Sequence, residues 1–93
     1  MLEIKDDSVY KLSDTVTVKN ILGEAFFVLD SKTGKQFNLT EMEYDILMFI
    51  NQGVSFGEIV SKIADEYDAS LGDIERDLKE YFISLLDEGL IIG

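Results

Sequence analysis

The sequence contains no cysteine and no histidine among its 93 residues. Their absence excludes disulfides, a cysteine nucleophile, a Ser–His–Asp triad, and zinc, haem or iron–sulfur sites built from these side chains. Proline is also absent, so ring chemistry interrupts no strand or helix. Carboxylates are plentiful, but no cofactor site is visible beside them and a chain of this size encloses little pocket volume, so we expect a protein that is not an enzyme and that binds no metal or cofactor.

Positive charge is scarce, with 8 basic against 19 acidic residues and a net charge of −11. Such a charge keeps a chain soluble and opposes binding to the phosphates of nucleic acid. No apolar run approaches the ~18–20 residues that span a membrane, and the first residues lack the basic and then apolar pattern of a signal peptide. We therefore expect a cytoplasmic protein with neither nucleic acid nor membrane as a partner.

The chain before about residue 40 has the patterns of β-strands. The alternating, β-branched segment 15–19 predicts a first strand, and the apolar segment 24–29 predicts a second, with a turn or bulge over residues 20–23. A turn cluster over residues 30–34 leads to a short third strand, Lys35–Leu39. These segments predict an antiparallel meander of three strands.

Helix-capping patterns mark the rest of the chain. Three segments have Ser or Thr followed three residues later by an acid, with apolar residues placed for a hydrophobic staple. They predict helices over about 41–52, 56–67 and 71–88, the first ending at Gly53 and the third at Gly89. The apolar tail over residues 90–92 either adds a small strand or packs on the core. The predicted caps are Thr40 with Glu43, Ser55 with Glu58, and Ser70 with Asp73.

The elements together predict an α+β fold in one domain over residues 1–93. A three-stranded antiparallel sheet over about 10–39 precedes three helices in a winged helix-turn-helix-like arrangement. On a wheel of the third helix, Tyr81 and Asp77 share one shoulder, while Ile83 and Arg76 lie on the opposite face. The stripe that this wheel assigns to the core comprises Leu71, Ile74, Leu78, Phe82 and Leu85.

The order and spacing of these features resemble the PqqD-like proteins. This family comprises the peptide-chaperone subunits of pyrroloquinoline-quinone (PQQ) biosynthesis and the stand-alone recognition elements for ribosomally made, post-translationally modified peptides (RiPPs). The resemblance covers about residues 12–92 and begins with segments 26–30 and 34–40. Thr40 stands where the family usually has an Asn cap, and Leu47 where a large aromatic residue is common. The later residues that fit the pattern are Ile46, Gly53, Phe56, Ile59, Asp77, Leu78, Phe82, Leu85, Gly89 and Leu90.

The resemblance implies a non-catalytic domain that binds the leader segment of a precursor peptide by strand addition. Such a domain presents the precursor to a modifying enzyme, which is a radical SAM enzyme, a peptidase or a cyclase, in PQQ or peptide natural-product biosynthesis such as that of lasso peptides. The leader pairs with the third strand and lies against the third helix. The peptide-binding residues expected on this basis are Lys35, Gln36, Phe37, Asn38, Leu39, Ile74, Asp77, Leu78 and Tyr81.

The residues by themselves leave several alternatives open. Tyr81 either lines a peptide groove or closes the rim of the core, and Asp77 is either a contact or a solvated charge. The third strand is either a template for strand addition or an ordinary edge protected by Lys35. A winged-helix DNA-binding protein is disfavoured because residues 71–88 carry six acids and two bases. The remaining rival is an acidic winged-helix adaptor or regulatory domain that binds another protein.

Overall fold

Strands lie at both ends of the chain and helices follow the main sheet in the computed structural model, which describes residues 3–93. Met1 and Leu2, the first residues of the predicted domain, lie outside the described residues. The elements are β1 (Lys11–Leu12), β2 (Val16–Ile21), β3 (Ala25–Asp30), β4 (Lys35–Leu39), α1 (Glu41–Asn51), α2 (Phe56–Glu66), α3 (Leu71–Asp87) and β5 (Ile91–Ile92).

The main sheet is antiparallel and has the order β2-β3-β4, so β3 is central and β4 lies at an edge. Val28 of β3 is fully buried and pairs in register with Phe37 of β4, which packs against the core. Because side chains alternate across a strand, this register turns Phe37 and Leu39 towards the helices. The predicted α+β fold, with three antiparallel strands followed by three helices, is confirmed.

The structure corrects the predicted strands at two places. The turn expected over residues 20–23 begins later, because β2 continues to Ile21 and, of these four residues, only Leu22 and Gly23 have positive φ. No local pattern predicted β1, which pairs antiparallel with β5 from the other end of the chain. The apolar tail therefore both adds a small strand and packs on the core, since Leu90 and Ile91 are buried.

The three predicted caps differ in how fully they form. Thr40 and Glu43 make a complete capping box, in which each side chain accepts a hydrogen bond from the other's backbone N–H. Ser55 accepts one from the backbone N–H of Glu58. Ser70 precedes α3 but makes no side-chain capping bond, so the expected third cap is wrong in its chemistry. The glycines expected to end α1 and α3 have positive φ: Gly53 at +80° and Gly89 at +73°.

A single apolar core lies between the main sheet and the three helices. Helix α3 contributes Ile74, Leu78, Phe82 and Leu85 from one stripe, as its wheel predicted. Leu71 was expected on that stripe but is 58% exposed. It borders a surface depression whose other lining residues are small or acidic and come from α2 and the segment that follows it. Among residues 3–93, none of the helices combines the length and apolar character that a membrane crossing requires.

The buried carboxylate of Asp30 holds the turn between β3 and β4. It accepts hydrogen bonds from the Thr15 hydroxyl at 2.8 Å, the Lys32 backbone N–H at 3.0 Å and the Thr33 hydroxyl at 3.3 Å. The Thr15 bond is the largest of the effects that hold the pKa of Asp30 below its ordinary value. The turn that positions β4 is thus stabilised by an ionised carboxylate.

Replacing Thr15 by Val should raise the pKa of Asp30 towards its ordinary value, because the strongest bond to the ionised form is lost. In the native protein the lowered pKa of Asp30 stabilises the fold at pH values above the ordinary Asp pKa. This stabilisation is lost as the pH falls through the folded-state pKa. The variant should therefore gain less stability from Asp30 at neutral pH. A carboxyl ¹³C NMR titration measures the pKa, and an unchanged value would contradict this account.

Candidate functional site

A groove with a volume of about 250 Å³ lies between the edge strand β4 and helix α3. Small-molecule sites usually span about 300–1,000 Å³. The groove therefore suits one or two side chains of a longer ligand better than a whole small molecule. Its lining comprises Val28, Phe37, Asn38, Leu39, Glu43, Tyr81, Ser84, Leu85, Glu88 and Leu90.

Beside this groove, β4 offers an open backbone edge. Within residues 3–93, β3 is the one strand that pairs with β4. A strand at the edge of a sheet leaves alternate N–H and C=O groups directed outwards, and an extended peptide can pair with them. A peptide paired in this way would turn every second side chain towards the groove. The site thus joins a hydrogen-bonding edge to a partly apolar groove.

Tyr81 forms the α3 wall of the groove, half-buried and next to the fully buried Phe82. Burial, and then the negative charge of Glu43, raise the pKa of the Tyr81 hydroxyl above its usual range. The hydroxyl is therefore neutral at physiological pH and can donate a hydrogen bond. The neighbouring Glu43 is fixed in place because its carboxylate accepts the backbone N–H of Thr40 at 2.8 Å.

The structure brings some of the sequence-predicted binding residues together at the groove and not others. Four of them line it, while Lys35 and Gln36 are exposed at the start of the same strand. Ile74 and Leu78 are buried in the core beneath α3. Asp77 is exposed and lies outside the groove lining. The four lining residues are Phe37, Asn38, Leu39 and Tyr81.

Asp77 and Arg76 are closer than the helical wheel suggested. The wheel set them on different faces, yet the Arg76 guanidinium lies 3.6 Å from the Asp77 carboxylate and 3.5 Å from that of Asp73. All three side chains are mainly exposed. The long, flexible Arg side chain reaches across the helix surface. Its ion pairs are solvent-screened and contribute little to stability.

Sequence reasoning missed the part of the groove that lies after Tyr81 along α3. Ser84, Leu85 and Glu88 follow Tyr81 at spacings of three, four and seven, which place them on the same side of the helix. The prediction followed the same helix face in the opposite direction, towards Ile74. The helical periodicity contained the needed signal, but the sequence did not show at which end of α3 the edge of β4 lies.

A larger depression of about 390 Å³ lies elsewhere, between residues 9–12 and the end of α1. The strand at its border, β1, is two residues long and already pairs with β5. It therefore offers little free edge for an extended peptide. The smaller groove beside β4 is the better candidate because it adjoins a five-residue open strand.

Comparisons with known proteins identify the family and the fold. The sequence profile described as coenzyme PQQ synthesis protein D (PqqD) matches residues 26–91. A solved structure of TbiB1 in complex with the TbiA(beta) leader peptide is similar to this chain with 30% identity and a TM-score of 0.81, covering 89% of this chain and 95% of that one. A structure of lasso peptide synthetase B1 complexed with the leader peptide has the same fold, with 21% identity, a TM-score of 0.82, and 92% and 100% coverage. No curated protein sequence matches the chain.

The placement of Tyr81 in the groove and Phe82 in the core predicts different effects of substitution at adjacent residues. Tyr81→Phe should change the free energy of unfolding by less than about 1 kcal/mol, because the hydroxyl makes no hydrogen bond among the described residues. Phe82→Ala should cost about 3–5 kcal/mol, because it opens a cavity in the core. Urea denaturation of both variants measures the difference, and equal losses would show that α3 is rotated from this position.

Proposed function

Because the chain belongs to the PqqD family, we propose that it binds the leader segment of a ribosomally made precursor peptide and delivers it to a modifying enzyme. The observation that carries the proposal is the open edge of β4 beside the groove. Residues 1–93 act in this proposal as one peptide-binding domain. The similar TbiB1 structure, which contains a leader peptide, supports it.

In this mechanism the leader becomes a fourth strand of the main sheet. Its backbone pairs with β4 over Lys35, Gln36, Phe37, Asn38 and Leu39, which supplies affinity that depends little on leader sequence. Each such hydrogen bond adds about 0.5–1.5 kcal/mol net. The leader side chains that face the groove supply selection, since they meet the ring of Tyr81 and the apolar side chains below it.

The third helix supports the site at two levels. Ile74 and Leu78 hold α3 against the core and so fix the wall without reaching the peptide. Asp77 lies one turn before Tyr81 on the same side of the helix. A leader that extends beyond the groove along α3 would pass this exposed carboxylate, which then offers a weak, salt-sensitive contact.

The domain performs no chemistry in this proposal. Its role is to raise the local concentration of the precursor at the enzyme that modifies it, as a tethered binding module does. The enzyme would be a radical SAM enzyme, a peptidase or a cyclase of the same pathway. The encounter would take place in the cytoplasm, where the ribosome makes the precursor.

Calorimetric titration of the protein with the leader encoded beside its own gene should give one-to-one binding. Tyr81→Ala should weaken this binding by about 1–2 kcal/mol, as is typical of truncating an aromatic residue at an interface. Asp77→Asn should cost less, and its effect should disappear at high salt because the contact is exposed and ionic.

Arg76→Ala is the matched control on α3, because this exposed side chain contacts acids of its own helix and lies outside the groove. Because the loss of Arg76 frees the Asp77 carboxylate from its exposed ion pair, the affinity for the leader should change only slightly, and much less than in Tyr81→Ala. The proposal fails if no leader from the gene's own cluster binds. The placement of the peptide fails if a leader binds and Tyr81→Ala has no larger effect than Arg76→Ala.

A further inference from the structure

The groove beside β4 combines an apolar floor with an acidic rim. Two acidic residues line it, Glu43 from α1 and Glu88 from the C-cap of α3. No basic side chain is among its lining residues in the described part of the chain. A groove that selected a purely apolar side chain would gain nothing from carboxylates, since they must be partly desolvated when the groove is filled. The apolar floor comprises Val28, Phe37, Leu39, Leu85 and Leu90.

Glu43 is held in position on the α1 side of the groove. One carboxylate oxygen accepts the backbone N–H of Thr40 at 2.8 Å in the capping box. Its charge raises the pKa of the Tyr81 hydroxyl, in addition to the larger effect of burial. Glu43 makes no salt bridge within residues 3–93. The carboxylate is therefore a fixed negative charge next to the aromatic wall, with one oxygen free of the cap.

Glu88 adds negative charge at the C-terminal end of α3. It is the C-cap residue of α3, and the last turn of this helix contains no basic residue. The C-terminus of a helix carries a partial negative charge, so an acid there is destabilising by a few tenths of a kcal/mol or more. Glu88 also lacks a salt bridge to any residue that the structure describes. The free domain thus keeps an unfavourable charge at the mouth of the groove.

We propose that this groove is a subsite for a lysine or arginine of the leader peptide. The inference rests on the proposed function and adds the chemistry of the residue selected. The alkyl stem of Lys or Arg lies along the apolar floor, and its cationic head reaches the rim at Glu43 and Glu88, as long basic side chains do at apolar surfaces. The bound cation offsets the repulsion at the end of α3. The net charge of −11 attracts the same leader at longer range.

The test uses the synthetic leader of the precursor encoded beside this gene, with each Lys replaced in turn by norleucine and each Arg by citrulline. Glu43→Gln keeps the capping bond, because Gln also serves at this position of a capping box, and removes the charge. Glu88→Gln removes the second charge. Each variant should weaken binding about two- to fivefold at low salt, and the loss should disappear with the neutralised leader residue in a double-mutant cycle.

Asp87→Asn is the matched control, because Asp87 lies in the same last turn of α3 but outside the groove lining. Glu88→Gln and Asp87→Asn should both raise the melting temperature by about 2–5 °C, since each removes an acid from the negative end of the helix. Only Glu88→Gln should also weaken leader binding. This pairing of higher stability with lower affinity distinguishes a ligand contact from a structural role.

The possible outcomes separate this inference from the proposed function. A leader that binds equally well after every Lys and Arg is neutralised, or that contains neither residue, overturns the inference and leaves leader binding intact. Equal affinity losses in Glu88→Gln and Asp87→Asn also overturn it, because they would reflect general charge and not a groove contact. A leader that does not bind at all overturns the proposed function and the inference with it.

Discussion

The buried stripe of α3 fixes the rotation of this helix, and the whole site depends on that rotation. Phe82 has no exposed surface, and its ring meets Tyr10 edge-on with centroids 5.5 Å apart and Phe56 at 5.0 Å. Burying a large apolar side chain contributes about 1.5–3 kcal/mol, so the four buried residues of the stripe contribute roughly 6–12 kcal/mol. Small domains are stable by about 5–15 kcal/mol in total. Turning α3 to hide Tyr81 would cost most of that stability.

The main sheet supplies the other half of the site because β4 is its edge strand and has one side unpaired within residues 3–93. The ionised Asp30 fixes the turn into β4, and the register with β3 points Phe37 and Leu39 towards the helices. The capping box that starts α1 follows β4 directly and places Glu43 at the groove. Residues 30–43 therefore contain the turn, the edge strand, part of the apolar floor of the groove and one of its two acidic residues. The groove thus results from a turn, a strand register and a helix cap that all form locally beside the open edge of β4.

The sequence predicted the architecture well because the fold signals are local. Caps at Thr40 and Ser55 start helices, and Gly53 and Gly89 end them with positive φ. The pairing of β1 with β5 joins opposite ends of the chain, and no local pattern in a two-residue strand reveals it.

The site was predicted less completely than the fold, because its lining depends on how distant elements pack together. The wheel of α3 identified Tyr81 and its side of the helix, but Ser84 and Glu88 join the groove because β4 lies near the C-terminal end of α3. The prediction of Leu71 as a core residue was wrong for a similar reason, since the residues that share its surface depression are small or acidic and Leu71 is 58% exposed. The periodicity of apolar residues shows which side of a helix is buried, but it does not show which element packs against each turn of that helix.

In the proposed complex the leader peptide is a fourth strand beside β4. Amide hydrogen exchange of the labelled protein, measured by NMR with and without unlabelled leader, tests it most directly. The account predicts that outward-facing amides within Lys35–Leu39 exchange rapidly in the free protein and become protected in the complex, with shifts in the α3 residues that line the groove. Protection confined to α1 and α2, with Lys35–Leu39 and Tyr81 unchanged, would contradict the account even if the leader binds.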